Sequence, residues 1–163
     1  MLALAALTGA CASTGATPRP FPVPGGAPHA GAPPTGSTRL KPDAYAITGT
    51  ALALRGSPYR NGGGDPAGFD CSGFTQYVFG QHGVALPRAV SDQYKEGKAV
   101  RPDEVAAGDL LFFTTVAPGP THVGIALGGD EFIHAPSSTG VVRVERLRAA
   151  YWAQRFIAAR RVG

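Results

Sequence analysis

Eight of the fifteen prolines in this chain (Pro18, Pro20, Pro22, Pro24, Pro28, Pro33, Pro34 and Pro42) fall between residues 12 and 42. That crowding decides where a folded domain can begin. Each proline fixes φ and removes a backbone donor. The Gly, Ser, Thr and Ala scattered among them offer no apolar face to bury. The segment therefore reads as an extended, semi-rigid tether; drawn out at about 3.1 Å per residue, some thirty residues would reach roughly 90 Å. His29 lies inside it and reads as a solvated linker residue. A core can form only in residues 43–163, which is room for one ordinary domain.

Ahead of the tether, residues 1–10 form an apolar run that ends at Cys11. It is too short to span a bilayer and has the character of the apolar stretch of an export signal. It lacks a basic leading segment, which fits a translation start upstream of Met1. Small residues ending at a cysteine resemble a bacterial lipoprotein signal, in which Cys11 becomes the lipidated first residue. Thr8 stands where that pattern wants a leucine, which Leu7 supplies one position early. Ordinary cleavage after Ala12 is the competing reading and would discard Cys11. The expected location is the periplasm, with the chain held at the outer membrane by lipidated Cys11, or secreted if cleaved. The only membrane association expected is this N-terminal lipid anchor.

The chain has two cysteines. They could form one disulfide in an exported protein, but Cys11 lies in the signal and Cys71 opens a helix. With Cys11 lipidated or removed, Cys71 is a lone thiol in an oxidising compartment. The net charge of +4 is modest, and the basic residues of the C-terminal third are dispersed rather than blocked. With no recognisable motif and no basic face interleaved with aromatics, nucleic acid is excluded as a partner. A polyanionic envelope or an acidic substrate suits the charge at least as well.

Within residues 43–163 the patterning predicts helices first and strands afterwards. A helix is expected over 43–55, a cysteine helix from 71 to about 82 with Gly83 as its cap, and a short helix within 89–97. His82 suits the end of the cysteine helix. The Asn61-Gly62-Gly63-Gly64-Asp65 loop lacks the Gly-Lys-Ser/Thr ending of a phosphate-binding loop, so its expected role is to let backbone pass close to Cys71. From Asp109 the pattern changes to strands at 110–113, 122–127, 131–135, 141–145 and 156–162, with a helical piece at 147–153. This order predicts an α+β fold with an antiparallel sheet against which the nucleophile helix packs.

Asp70-Cys71-Ser72-Gly73-Phe74 places Cys71 in the first turn of its helix, behind Asp70 as N-cap. The partial positive charge of a helix N-terminus favours thiolate, the nucleophilic form. Such a thiol asks for a base, and His122 and His134 flank Gly128-Gly129-Asp130 on a predicted hairpin. If that turn centres on Gly129, His122 lies opposite Pro136, and His134 is its diagonal neighbour on the same face, about 7–8 Å away at the backbone. Gly124 and Ala126 share that face and would leave space for a substrate; Val123, Ile125, Leu127 and Ile133 form a core on the other. A two-residue turn would separate the histidines. His122 is then expected to act as general base and acid, with His134 orienting its ring. A zinc site made of the same three residues lacks metal-type spacing, so no metal or other cofactor is expected.

At this point the ordered set of residues resembles the NlpC/P60 family of cell-wall peptidases. The resemblance is carried by Gly56-Ser57-Pro58-Tyr59, by Gly68-Phe69 leading into the Cys71 motif, and by Leu86-Pro87-Arg88 with Gln93. It continues through Gly108-Asp109-Leu110, His122-Val123-Gly124-Ile125, Phe132-Ile133-His134-Ala135, Tyr151-Trp152 and Ala159-Arg160-Arg161. The match runs from about residue 50 to the end. It implies a papain-like fold, a Cys71-His122-His134 triad, and cleavage of peptidoglycan stem peptides at the bond between D-glutamate and a diamino acid or at a cross-link. It further implies that Tyr59 helps polarise the scissile carbonyl and that Asp70 and Ser72 contact a substrate amine. Arg88 meets a substrate carboxylate or serves as a structural clamp. Asn61 departs from the aromatic residue common at its place, which leaves one wall of the cleft unassigned. Stem peptides are the expected partner, together with an envelope adaptor or regulator. Two other functions use the same features: an acyltransferase or amidase on this scaffold, and a non-catalytic wall-binding lipoprotein.

Overall fold

The computed structural model describes residues 43–163. The expected signal and tether, with Cys11 and His29, lie outside the described residues. The first helix, α1 (Ala44–Ala53), starts where Asp43 Oδ1 accepts the Tyr45 N–H at 3.0 Å. The cysteine helix, α2 (Cys71–Gly80), starts the same way, with Asp70 Oδ1 accepting the Gly73 N–H at 2.8 Å. Gly83 follows with φ +74°, the left-handed backbone that glycine adopts most easily. His82 does more than suit the helix end: its Nε2 lies 2.8 Å from Thr50 Oγ1, tying the end of α2 to α1. Short helices α3 (Val90–Gln93) and α4 (Ala150–Ala153) and a 3-10 turn at Pro102–Glu104 make up the rest of the helical part.

Two strands, β1 (Gly64–Asp65) and β2 (Gly68–Phe69), form a small antiparallel ribbon just before α2. The main sheet contains β3 (Lys98–Val100), β4 (Leu110–Phe113), β5 (His122–Gly128), β6 (Glu131–His134), β7 (Arg143–Arg146) and β8 (Phe156–Arg161). Its order is β3-β8-β4-β5-β6-β7, and every neighbouring pair is antiparallel. The α+β expectation therefore holds. The sequence pattern missed the β1–β2 ribbon, whose strands have two residues each, and β3, a three-residue strand just past the helix expected within 89–97.

Strand β4 is the clearest product of its sequence. Leu110-Leu111-Phe112-Phe113 is buried throughout because side chains alternate between two covered faces. Leu110 and Phe112 join Ile47, Phe74, Val78, Val123, Ile125 and Ile133 in the core beneath the helices. Leu111 and Phe113 join Ala126, Phe132, Trp152 and Ala159 on the opposite face. Asp109, buried at the start of β4, takes a fork-to-fork pair from Arg161 of β8, with Nε to Oδ1 and Nη2 to Oδ2 both at 2.8 Å.

The β5–β6 hairpin decides where the histidines point. Gly128 pairs with Glu131, so the loop holds only Gly129 and Asp130. By itself that two-residue loop would place His122 and His134 on opposite faces. A bulge between Ala126 and Gly128 supplies the missing residue. Ala126 then pairs with Phe132 and Ile125 with Ile133, the register that a turn centred on Gly129 would have produced. Positive φ at both Gly128 (+103°) and Gly129 (+60°) makes room for this irregular turn.

Candidate active site

Cys71 is a free, partly buried thiol at the first position of α2. The backbone around it is close-packed. A methyl group on Gly73 would run into the Gly63 carbonyl oxygen, and one on Gly63 would run into the Gly68 carbonyl oxygen. The glycine-rich loop thus lets two backbones meet beside the nucleophile helix. The Gly63 carbonyl accepts from the Asp70 N–H at 3.1 Å, and Gly62 N–H donates to Asp70 Oδ2 at 3.0 Å.

The backbone N–H groups of Val123, Ser72 and Cys71 lie near the sulfur and favour its thiolate. They do not prevail. Burial, helped by the negative charge of Asp70, raises the Cys71 pKa above its ordinary value. The helix N-terminus therefore does not set the thiol's pKa by itself, because burial moves it upward. The Val123 N–H is available because paired residues in the β5–β6 ladder end at Ile125 and Ile133. Val123 follows His122 in sequence, so the strand that approaches the sulfur is the one that carries the base.

His122 and His134 lie on one face, with His122 Nε2 2.7 Å from His134 Nδ1 and their rings nearly perpendicular at 88°. The contact occupies Nε2 of His122 and leaves Nδ1 as the nitrogen that can take a thiol proton. Trp152 stacks on His122 at 26° and 5.5 Å, and meets His134 edge-on at 4.8 Å. Phe113 and Phe132 close the same box. Burial lowers the His122 pKa from 6.5 to about 4. His134 is lowered further, by burial first, then by the charges of a protonated His122 and of Arg143. Both rings rest neutral.

The face carrying Gly124 and Ala126 is not substrate space. A side chain on Gly124 would press on Phe132 Cδ2 at 2.9 Å and His134 Cβ at 3.1 Å, and Ala126 is buried. The small residues make room for the histidine and its aromatic support instead.

Tyr59 lies within electrostatic reach of the thiol. Burial, then negative charge on Cys71 and Asp70, raises its pKa, so its hydroxyl stays protonated and able to donate. Asp70 and Ser72 are tied to Arg88: Arg88 Nη2 donates to Asp70 Oδ2 at 2.5 Å, and Nη1 donates to Ser72 Oγ at 2.8 Å. Asp70 also accepts from Gly73 N–H, Gly62 N–H and, at 3.4 Å, Ser72 Oγ. Two carboxylate oxygens with four donors have no lone pair to spare. Arg88 in turn is raised by the Asp70 bond and stays a cation, with 43% of its side chain exposed.

Gln93 and Glu145 also belong to the site's support. Gln93 is buried, donates to the Ser72 and Pro87 carbonyls at 3.0 and 2.8 Å, and meets Thr75 Oγ1 at 2.7 Å. It holds the Arg88 turn against α2. Glu145 lies on β7 beside His134 and carried no distinguishing spacing in the sequence. Among the described residues, no group of three or more His, Cys, Asp or Glu is placed to hold a metal ion.

A family model described as NlpC/P60 family matches residues 56–161. The chain is 40% identical over 120 residues to a gamma-DL-glutamyl hydrolase of Bacillus subtilis (strain 168), covering 71% of this chain and 29% of that protein. It is 41% identical over 109 residues to the murein DD-endopeptidase MepS/murein LD-carboxypeptidase of Escherichia coli (strain K12), covering 66% of this chain and 57% of that one. The match thus spans less than two-thirds of either relative. Among solved structures, the NlpC/p60 domain of the peptidoglycan hydrolase SagA is similar with a TM-score of 0.66 and 38% identity, covering 74% of this chain and 99% of that one.

Proposed function

The chain belongs to the NlpC/P60 family, and we propose that it is a cysteine endopeptidase that hydrolyses peptidoglycan stem peptides through Cys71, His122 and His134. The observation that carries this reading is the contact between His122 Nε2 and His134 Nδ1 on β5 and β6, with the Cys71 thiol at the start of the helix packed against that sheet and close to the backbone N–H of Val123. Relatives named as acting on murein and on γ-glutamyl bonds support the substrate class.

In this mechanism His122 Nδ1 takes the thiol proton as the sulfur attacks the scissile carbonyl. The C=O electrons move to oxygen, where the Tyr59 hydroxyl donates a hydrogen bond to the developing oxyanion. The C–N bond then breaks, the proton on His122 passes to the leaving amine, and a thioester remains on Cys71. Water gives a proton to His122 and its hydroxide adds to the thioester carbonyl. Collapse releases the carboxyl product and returns the thiol. His134 keeps the base ring oriented throughout.

Arg88 presents the cation at the cleft, and Asp70 is already saturated. This supports recognition of a stem-peptide carboxylate by Arg88; a substrate amine would reach Asp70 and Ser72 only by displacing Arg88. The bond cleaved is that between D-glutamate and the diamino acid, or a peptide cross-link. The enzyme works outside the cytoplasm, tethered through lipidated Cys11 and residues 12–42.

Purified sacculi and isolated muropeptides incubated with the full chain, with products resolved by mass spectrometry, test the proposal. New peptide termini that vanish with Cys71→Ala are expected. Turnover unaffected by that substitution would sink the reading. Sacculus binding without turnover would favour a wall-binding protein, and release from a non-murein amide alone would favour an acyltransferase or amidase.

A further inference from the structure

His134 is fully buried, and its Nε2 has no hydrogen-bond partner among the described residues. A buried polar nitrogen left in this state needs a reason. What faces it is the Glu145 carboxylate, with Oε1 at 3.8 Å. The register explains the placement. Phe132 lies opposite Glu145 and His134 opposite Arg143, so Glu145 is the diagonal neighbour of His134 on the aromatic face. The carboxylate is held from two further sides: Trp152 Nε1 donates to Oε2 at 2.5 Å, and Arg143 Nε reaches Oε1 at 3.1 Å.

We propose that Glu145 is a positioning residue that selects which nitrogen of His122 acts as the base, working through His134. An anionic acceptor beside His134 Nε2 favours a proton on that nitrogen and repels a lone pair there. His134 Nδ1 must then be bare, so it accepts in its 2.7 Å contact with His122. His122 consequently carries its proton on Nε2 and leaves Nδ1 bare, free to accept the thiol proton. With the opposite arrangement, His134 Nδ1–H would donate, His122 would carry its proton on Nδ1, and that nitrogen could not take the thiol proton. Trp152 takes part twice: its ring stacks on His122, and its N–H aims the carboxylate.

The inference rests on the cysteine-peptidase reading, but its test reads the rings directly. Long-range 1H–15N spectra of full-length protein labelled at histidine nitrogens assign the tautomer of each buried ring at neutral pH. The wild type is expected to show Nε2 protonated and Nδ1 bare in both His122 and His134. Glu145→Gln can still accept from Trp152 but can offer an N–H to His134, so it is expected to shift both rings toward the Nδ1-protonated form. Its kcat should fall about 10- to 100-fold, the range typical when the outer partner of a functional histidine is removed, with KM little changed. Glu145→Asp, which restores the charge, should recover the wild-type tautomers and part of kcat. A His122 protonated on Nδ1 in the wild type, or unchanged tautomers in Glu145→Gln, would overturn the inference. If the wild type cleaves no murein, the functional reading fails while the ring assignment still decides this one.

Discussion

Around Cys71 the chain relies on backbone approach and charge: glycines that let Gly63 pack on Gly73, backbone N–H groups near the sulfur, and an Asp70–Arg88–Ser72 network open to water on its arginine side. Around His122 it relies on aromatic packing: Trp152, Phe113 and Phe132 enclose two rings that have almost no contact with solvent. The difference divides the labour. The base is preorganised by close packing, which fixes a ring more firmly than exposed ion pairs do. The nucleophile side keeps a cation and a phenol where a substrate can meet them. If this contrast is right, damage to the histidine side should cost stability and kcat together, while damage to the arginine side should change substrate affinity.

The largest effect is expected from Trp152→Ala. Removing a buried tryptophan costs about 3–5 kcal/mol, and here it also frees the His122 ring and the Glu145 carboxylate. Thermal melts and single-turnover rates should both collapse; an unchanged kcat would contradict the role given to the box. The next effect is in pH. Since burial lowers His122 from 6.5 to about 4, the base remains neutral well below the usual imidazole range. The acid limb of kcat/KM should therefore fall near pH 4 and not near 6.5. Stability follows the same sign: a histidine whose folded pKa is depressed contributes fully above 6.5, and that contribution is lost as pH falls toward 4 and the unfolded chain binds the extra proton. The smallest effect is expected from Arg88→Ala. Asp70 still caps α2 through the Gly73 N–H, so KM for an acidic stem peptide should rise several-fold with kcat little altered, the pattern of lost uniform binding. Arg88→Lys should fall between, keeping the charge without the two-pronged grip.

Much of this was legible in the sequence, for reasons that can be named. Asp70 before Cys71 reads as a helix cap, and the structure has Asp70 capping α2. The run Leu110–Phe113 has the continuous apolar character of a strand covered on both faces. The hairpin parity was reached by a route the sequence does not display, because the two-residue loop and the bulge each shift the register and cancel. The β1–β2 ribbon escaped notice because pairs of residues carry no periodicity. A helix N-terminus is a local signal in the sequence, whereas the burial that raises the Cys71 pKa depends on what packs above it. Glu145 was invisible for the same reason: nothing marks it until β7 is laid beside β6.

The most direct test of the account is the mass of the enzyme during turnover. Full-length protein mixed with a stem-peptide substrate, quenched in acid within the first turnover and analysed intact, should carry the acyl half of the substrate as a thioester on Cys71. The adduct should vanish in Cys71→Ala and fail to form in His122→Ala. Product released at an undiminished rate from Cys71→Ala, with no adduct on the wild type, would contradict nucleophilic catalysis by this thiol.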